Sequence, residues 1–231
     1  MKRQGIIFDL NGSLDNTDQA IAKAFWLTLR KHFPEREDGE LQRFAKELVA
    51  FFWQADKLAD LKYPQWDMAD IINRGVSRWS ESRGINVDTR QFAKDYSLIR
   101  KKFLAIRPEF TKLINQTPKN LLKFILSQGN SERDVLTLLN KSSLTESDFT
   151  EIVLSGSFQE ENKPSINILE YILKKYSLSP AECLLVGDDV CSDIMPAKIL
   201  GMKTLLTSDY VDAVAADTSQ ACALIKSMLE I

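Results

Sequence analysis

Four short stretches of this chain hold residues whose types and spacing could do chemistry. In Phe8-Asp9-Leu10-Asn11-Gly12-Ser13-Leu14 a carboxylate stands at the tip of a brief apolar run. Burying an aspartate there is costly unless it is paired or bound to a metal. Two uses fit Asp9: capping the helix that follows, or attacking phosphorus as a nucleophile to form an acyl-phosphate. In Val186-Gly187-Asp188-Asp189-Val190-Cys191-Ser192-Asp193, three acids fall within six residues. They repel one another unless a cation neutralises them, and magnesium takes one or two carboxylates together with phosphate and water. A helix macrodipole would accommodate one of the three comfortably. Ser127, ending an apolar run, and Lys163, just ahead of a helix, complete the set. Taken alone, such a serine caps a turn and such a lysine is solvated.

Few other groups compete for this role. His32 is the only histidine, which leaves a Ser-His-Asp triad or a histidine-rich metal site resting on one residue in a helical stretch. Cys183, Cys191 and Cys222 form no CxxC pair and are odd in number, against a disulfide framework or a structural zinc site. The chemistry falls to carboxylates.

Elements that could position these residues follow from the hydrophobic pattern. Gly5–Asp9 reads as a buried strand ending in the turn Asn11-Gly12-Ser13, and Thr17–His32 as a helix with apolar residues at three- and four-residue spacing. Helical spacing recurs over Glu40–Trp53, Met68–Arg83 and Thr89–Ile106, with no convincing strand among them. All four tryptophans (Trp26, Trp53, Trp66, Trp79) lie between Thr17 and Arg107, which predicts a separate helical unit with its own aromatic core. After Pro108 strands and helices alternate: strand Leu121–Leu126, helix Ser131–Leu139, strand Ile152–Leu154, helix Ile166–Tyr176, strand Cys183–Val186, helix Ile194–Leu200 closed by Gly201, strand Thr204–Leu206 and helix Ser219–Leu229. Such alternation predicts an α/β fold with a parallel sheet covered on both faces. Ligands of these folds bind outside the carboxyl ends of the strands, where the polar residues named above would converge.

Composition narrows the partners. Hydrophobic residues are 44% and charged residues 27% of the 231, with a net charge of −2 and the signs interspersed. That is an ordinary globular composition with no basic stripe for nucleic acid and no polybasic amphipathic helix for a membrane surface. The N-terminal apolar run is too short for a signal peptide or a span, and no stretch approaches the roughly 18 apolar residues a membrane helix needs. A cytoplasmic protein is expected.

In order, Asp9, Ser127, Lys163 and the Asp188-Asp189/Asp193 cluster resemble the motifs of the haloacid dehalogenase-like hydrolase superfamily. The resemblance covers about 140 residues and implies a Rossmann-like core (1–14 and 108–231) carrying an all-α cap (15–107). It also implies magnesium-dependent attack of Asp9 on the phosphate ester of a small metabolite. Metal contacts would come from Asp9, the backbone carbonyl of Asn11, and the cluster Asp188, Asp189 and Asp193. Phosphoryl oxygens would be held by Ser127, Gln128, Lys163 and the first loop at Gly12 and Ser13, with Lys163 also offsetting charge in the transition state. Carbon–halogen displacement fits less well, because that branch needs no magnesium and the acidic cluster is intact here. The absence of spans excludes ion-pump chemistry.

The chain departs from the family at Asn11, where the pattern has a second aspartate that protonates the leaving oxygen and then activates water. An amide does neither, and general acid–base catalysis is worth ~10²–10⁴-fold. Three accounts stand open: a phosphatase in which another group or water partly substitutes, a phosphate-ligand-binding protein with little turnover, or an Asp-to-Asn change introduced to trap a ligand. In the helical segment the aromatics are expected to pack the bundle and Arg74, Arg78, Arg83, Arg100 and Lys101 to be solvated, a minority of them being available to grip a sugar or a second anionic group of the substrate; oligomeric state is open.

Overall fold

The computed structural model describes residues 4–62, 67–155, 166–207, 222 and 225–227. The chain divides into two compact units, 1–16 with 105–231, and 17–104. This division falls slightly inside the 15–107 segment expected for the helical part. Asp15 and Asn16 lie with the first unit because they run antiparallel beside the returning chain: Asp15 and Ile106 form a bridge, and Asn16 N–H donates to Ala105 O at 3.1 Å.

The first unit is built on five parallel strands, β1 (Gly5–Asp9), β2 (Leu122–Ser127), β3 (Glu151–Leu154), β4 (Cys183–Gly187) and β5 (Lys203–Leu206), in the order β3-β2-β1-β4-β5. β1 and β4 are buried throughout, as apolar strands covered on both faces must be. Register places Phe8 opposite Ile125 on one side and Val186 on the other, so Asp9, Ser127 and Asp188 leave the sheet at one end. Because β2 and β3 lie to one side of β1 and β4 and β5 to the other, the strand order reverses at β1. That switch point opens a crevice at the carboxyl ends of β1 and β4.

α5 (Pro108–Gln116), absent from the sequence expectation, buries Phe110, Leu113 and Ile114 and starts with proline in its first turn. α6 (Glu132–Lys141) is capped by Ser131, whose hydroxyl accepts from Asp134 N–H. α7 (Ile166–Lys175) packs Ile168, Leu169 and Ile172 onto the sheet, and α8 (Met195–Ile199) adds Ala197. Residues 222 and 225–227 are helical; the rest of the expected Ser219–Leu229 helix lies outside the described residues, as do Lys163 and Trp66.

The helical unit contains α1 (Thr17–His32), α2 (Asp38–Lys62), α3 (Met68–Arg83) and α4 (Thr89–Phe103). Its core is aromatic: the rings of Phe25 and Tyr96 lie 4.3 Å apart, and Trp79 meets Phe44 edge-on at 5.4 Å. Trp26 and Trp53 pack against this core from its margin. Asp67 and Asp70 form a reciprocal cap at the start of α3, and Gly84 closes it in a left-handed conformation. α4 stops three residues short of the expected Ile106, because Leu104 turns extended and Ile106 N–H donates to Ser142 Oγ. Among the described residues no helix is long and apolar enough to cross a membrane.

Candidate active site

β1 delivers Asp9 to the end of the sheet, and the chain then turns sharply. Asn11 (φ −78°, ψ 124°) and Gly12 (φ 79°, ψ −24°) take the central positions of a type II turn, which needs glycine or asparagine at the second. A wider turn encloses it, closed by Asp15 N–H donating to Leu10 O at 3.0 Å. Gly12 is required for a second reason: a Cβ there would lie 2.5 Å from Asp188 Oδ2. β4 ends likewise in Gly187, where a Cβ would lie 2.4 Å from the Cβ of Asp193. Both glycines make room for carboxylates.

Asp9, Asp188 and Asp193 each bring a carboxylate oxygen within 4.8 Å of the other two. Asp9 is 6% and Asp193 3% exposed. At that spacing each like-charged pair costs about 3 kcal/mol if the effective dielectric constant is about 20. Secondary contacts hold the acids in place. Ser13 Oγ donates to Asp188 Oδ1 at 3.0 Å, and Asp189 N–H donates to Asp193 Oδ2 at 3.2 Å. All three donors are hard oxygens, the set magnesium prefers, and Gly12 leaves open the space above Asp188 that a side chain would fill. The residues present therefore fit the ion.

Asp189, expected as a further ligand, lies outside this trio. Its Oδ1 accepts from the N–H groups of Cys191 and Ser192, both at 2.8 Å, capping the short turn Val190–Ile194. A helical turn starting there leaves N–H groups that need an acceptor, and the first residue supplies it. Two expectations for the first loop also change. Gly12 N–H donates to Asp15 Oδ1 at 2.9 Å, so this amide is committed within the loop and not offered to a phosphate. Ser13, fully buried, spends its hydroxyl on Asp188.

Across the crevice, Ser127 ends β2 almost wholly buried. Asn130 Nδ2 donates to Ser127 Oγ at 2.8 Å and to Asn11 Oδ1 at 3.1 Å, while Asn11 Nδ2 donates to the Gln128 carbonyl at 3.2 Å. Asn11, Ser127 and Gln128 thus meet, with Gln128 contributing its backbone to Asn11. Asn130 joins them without having been singled out; the only sequence signal was an asparagine following the turn glycine Gly129. Asp15 and Arg107 were missed as well. Asp15 is fully buried, and Arg107 donates from Nε to Asp15 O at 2.9 Å and from Nη2 to Gly12 O at 3.0 Å.

Comparisons with known proteins bear on the fold and the family. The glyceraldehyde 3-phosphate phosphatase of Pyrococcus furiosus is 27% identical over 212 residues, 87% of this chain and 78% of that protein. Among solved structures, the magnesium-bound HAD-hydrolase YfnB from Bacillus subtilis superposes with a TM-score of 0.74 at 14% identity, covering all of both chains. L-2-haloacid dehalogenase from Xanthobacter autotrophicus gives 0.64 at 16% identity, covering 99% of this chain and 84% of that one. At those identities the structures share the fold. The haloacid dehalogenase-like hydrolase family matches residues 6–207, nearly the whole chain, and the chain belongs to that family of hydrolases.

Proposed function

We propose that this chain is a magnesium-dependent phosphatase-type hydrolase of a small phosphorylated metabolite, working in the cytoplasm and held back by Asn11. The observation that carries this is the convergence of Asp9, Asp188 and Asp193 at the switch point of the sheet. Two nearby acids beyond Asp9 are what a phosphate site needs and a helix cap does not. The archaeal relative's name supports a phosphorylated metabolite of similar size.

Asp9, Asp188, Asp193 and the Asn11 carbonyl would hold the ion. When bound, magnesium offsets the negative charge that otherwise keeps a carboxylate from a phosphate. Asp9 attacks phosphorus through one carboxylate oxygen; the new O–P bond forms as the ester P–O bond breaks, and the leaving alkoxide takes its proton from a water molecule, which leaves hydroxide. Ser127 and Lys163 orient the phosphoryl oxygens. Water then adds to the acyl-phosphate, releasing phosphate and restoring the carboxylate. Ser13 keeps Asp188 aimed at the site throughout. Residues 17–104 act as the cap that selects the substrate.

Asn11 has no proton to give to the alkoxide and no basicity to activate water. Both ends of its amide are engaged, Nδ2 with Gln128 O and Oδ1 with Asn130. That engagement favours a second function, a protein that binds phosphorylated ligands with little turnover.

Phosphate release and covalent phosphorylation, measured with magnesium on p-nitrophenyl phosphate and on phosphorylated metabolites including glyceraldehyde 3-phosphate, separate the two. Asn11→Asp should accelerate turnover by ~10²–10⁴-fold, and Asp9→Asn should abolish it. A burst without turnover in the parent places the block at hydrolysis of the acyl-phosphate. Ligand binding with no reaction in either form would favour the binding protein.

A further inference from the structure

The chain returns to the α/β unit at Ala105, and its next residues clasp the nucleophile loop. Ala105 N–H donates to Asn16 Oδ1 at 2.8 Å, and Arg107 N–H donates to Leu14 O at 3.1 Å. The Arg107 guanidinium then reaches further back to the carbonyls of Asp15 and Gly12. Together with the Asp15 carboxylate on Gly12 N–H, this engages both backbone polar groups of Gly12. A glycine at φ 79° has wide conformational freedom, and it is followed at once by the serine that orients Asp188. A planar guanidinium that binds two carbonyls in fixed directions removes that freedom, which a lysine, as a single point charge, does not.

We propose that Arg107 is a positioning residue for the carboxylate site. By fixing Gly12 it keeps the loop tucked against Asp188 and keeps Ser13 on Asp188 Oδ1, which sets the separation of Asp188 from Asp9. Arg107 touches neither substrate nor metal; it acts through the loop. The proposal rests on those carboxylates being a magnesium site, and it goes beyond it by assigning the precision of that site to the returning linker.

Magnesium titration calorimetry on the whole chain tests this without requiring turnover. Arg107→Ala should weaken magnesium binding about tenfold, as loss of a group that orients metal ligands commonly does. Its circular dichroism spectrum should match the parent, and millimolar guanidinium should restore the affinity. Arg107→Lys, with charge but no fork, should recover only part of it. In the Asn11→Asp background the same substitution should lower kcat more than it raises KM. Unchanged magnesium affinity in Arg107→Ala, or a loss that tracks a lowered melting temperature and ignores guanidinium, would overturn the proposal. Should Arg107→Ala fail to fold, unchanged affinity in Arg107→Lys overturns it equally. A parent chain that binds no magnesium removes the metal site and the proposal together, whereas a binding parent with an indifferent variant removes the proposal alone.

Discussion

Asp95 in the helical unit and Asp9 in the α/β unit are almost equally buried, at 5% and 6% exposure. Their surroundings differ. Asp95 accepts from Lys31 Nζ at 2.7 Å, lies 3.0 Å from His32 Nε2, and accepts from Gln91 Nε2 at 3.2 Å. The Lys31 hydrogen bond, aided by His32 and Gln91 and opposed by burial, holds its carboxyl below the usual value of 3.8. Asp9 instead shares its end of the sheet with two more carboxylates. One acid is matched by the unit's own side chains and ties α1 to α4. The others are crowded where a cation would relieve them. A carboxylate held by side chains of two helices ties those helices together, whereas three carboxylates gathered at one end of a sheet offer a cation its donors.

Glycine substitutions should break this comparison most strongly. Gly187→Ala drives a methyl into Asp193 and should abolish magnesium binding by calorimetry, a loss on the order of a hundredfold or more. Gly75→Ala, whose Cβ would lie 3.3 Å from the Phe52 backbone between α3 and α2, should lower the melting temperature and leave magnesium affinity unchanged. Next in size is the metal itself. Magnesium at a hundred times its dissociation constant should stabilise the α/β unit by about 2.7 kcal/mol. Hydrogen exchange should find the added protection around residues 9–15 and 187–193 and not in 17–104.

Asp95→Asn should cost about 2 kcal/mol near neutral pH, the scale of a buried hydrogen bond to a charged group. Because the folded pKa is depressed, this stability is complete above the ordinary carboxylate value and disappears as pH falls through the lower, folded one. Urea melts of parent and variant should therefore converge in strong acid, with magnesium affinity unmoved. The smallest effect concerns thiols. Cys191 is exposed, while burial pushes the Cys183 thiol up to about 11, so a thiol reagent at pH 8 should label Cys191 well before Cys183.

Much of the core was legible in the sequence because its strands are short unbroken apolar runs ending in turn residues. β1, α1 and α3 begin and end where hydrophobic spacing puts them. α5 escaped notice because nine residues carry barely two repeats of the helical pattern, although proline at its start and the spacing of Phe110, Leu113 and Ile114 were available. At the site, residue type identified the acids but not their division of labour. Asp188, Asp189 and Asp193 look alike in one dimension, and only the turn at Val190 decides that Asp189 faces N–H groups. The Gly12 N–H and the Arg107 fork were invisible for a related reason: Arg107 lies 95 residues from the carbonyl it holds, and nothing local marks that pairing.

The central place of β1 bears on how the chain folds. Its partners begin at Leu122 and Cys183, more than a hundred residues downstream, whereas the buried core of the helical unit, among the described residues, runs from Ile21 to Tyr96. At ordinary rates of synthesis β1 therefore waits on the order of ten seconds for its first neighbour. Over that interval the helices can complete their own core, while Gly5-Ile6-Ile7-Phe8-Asp9 presents an unpaired apolar edge to any other chain. The strand that carries Asp9 is thus also a segment exposed to aggregation during folding, and long-range pairing of this kind makes the α/β unit the slower of the two to form.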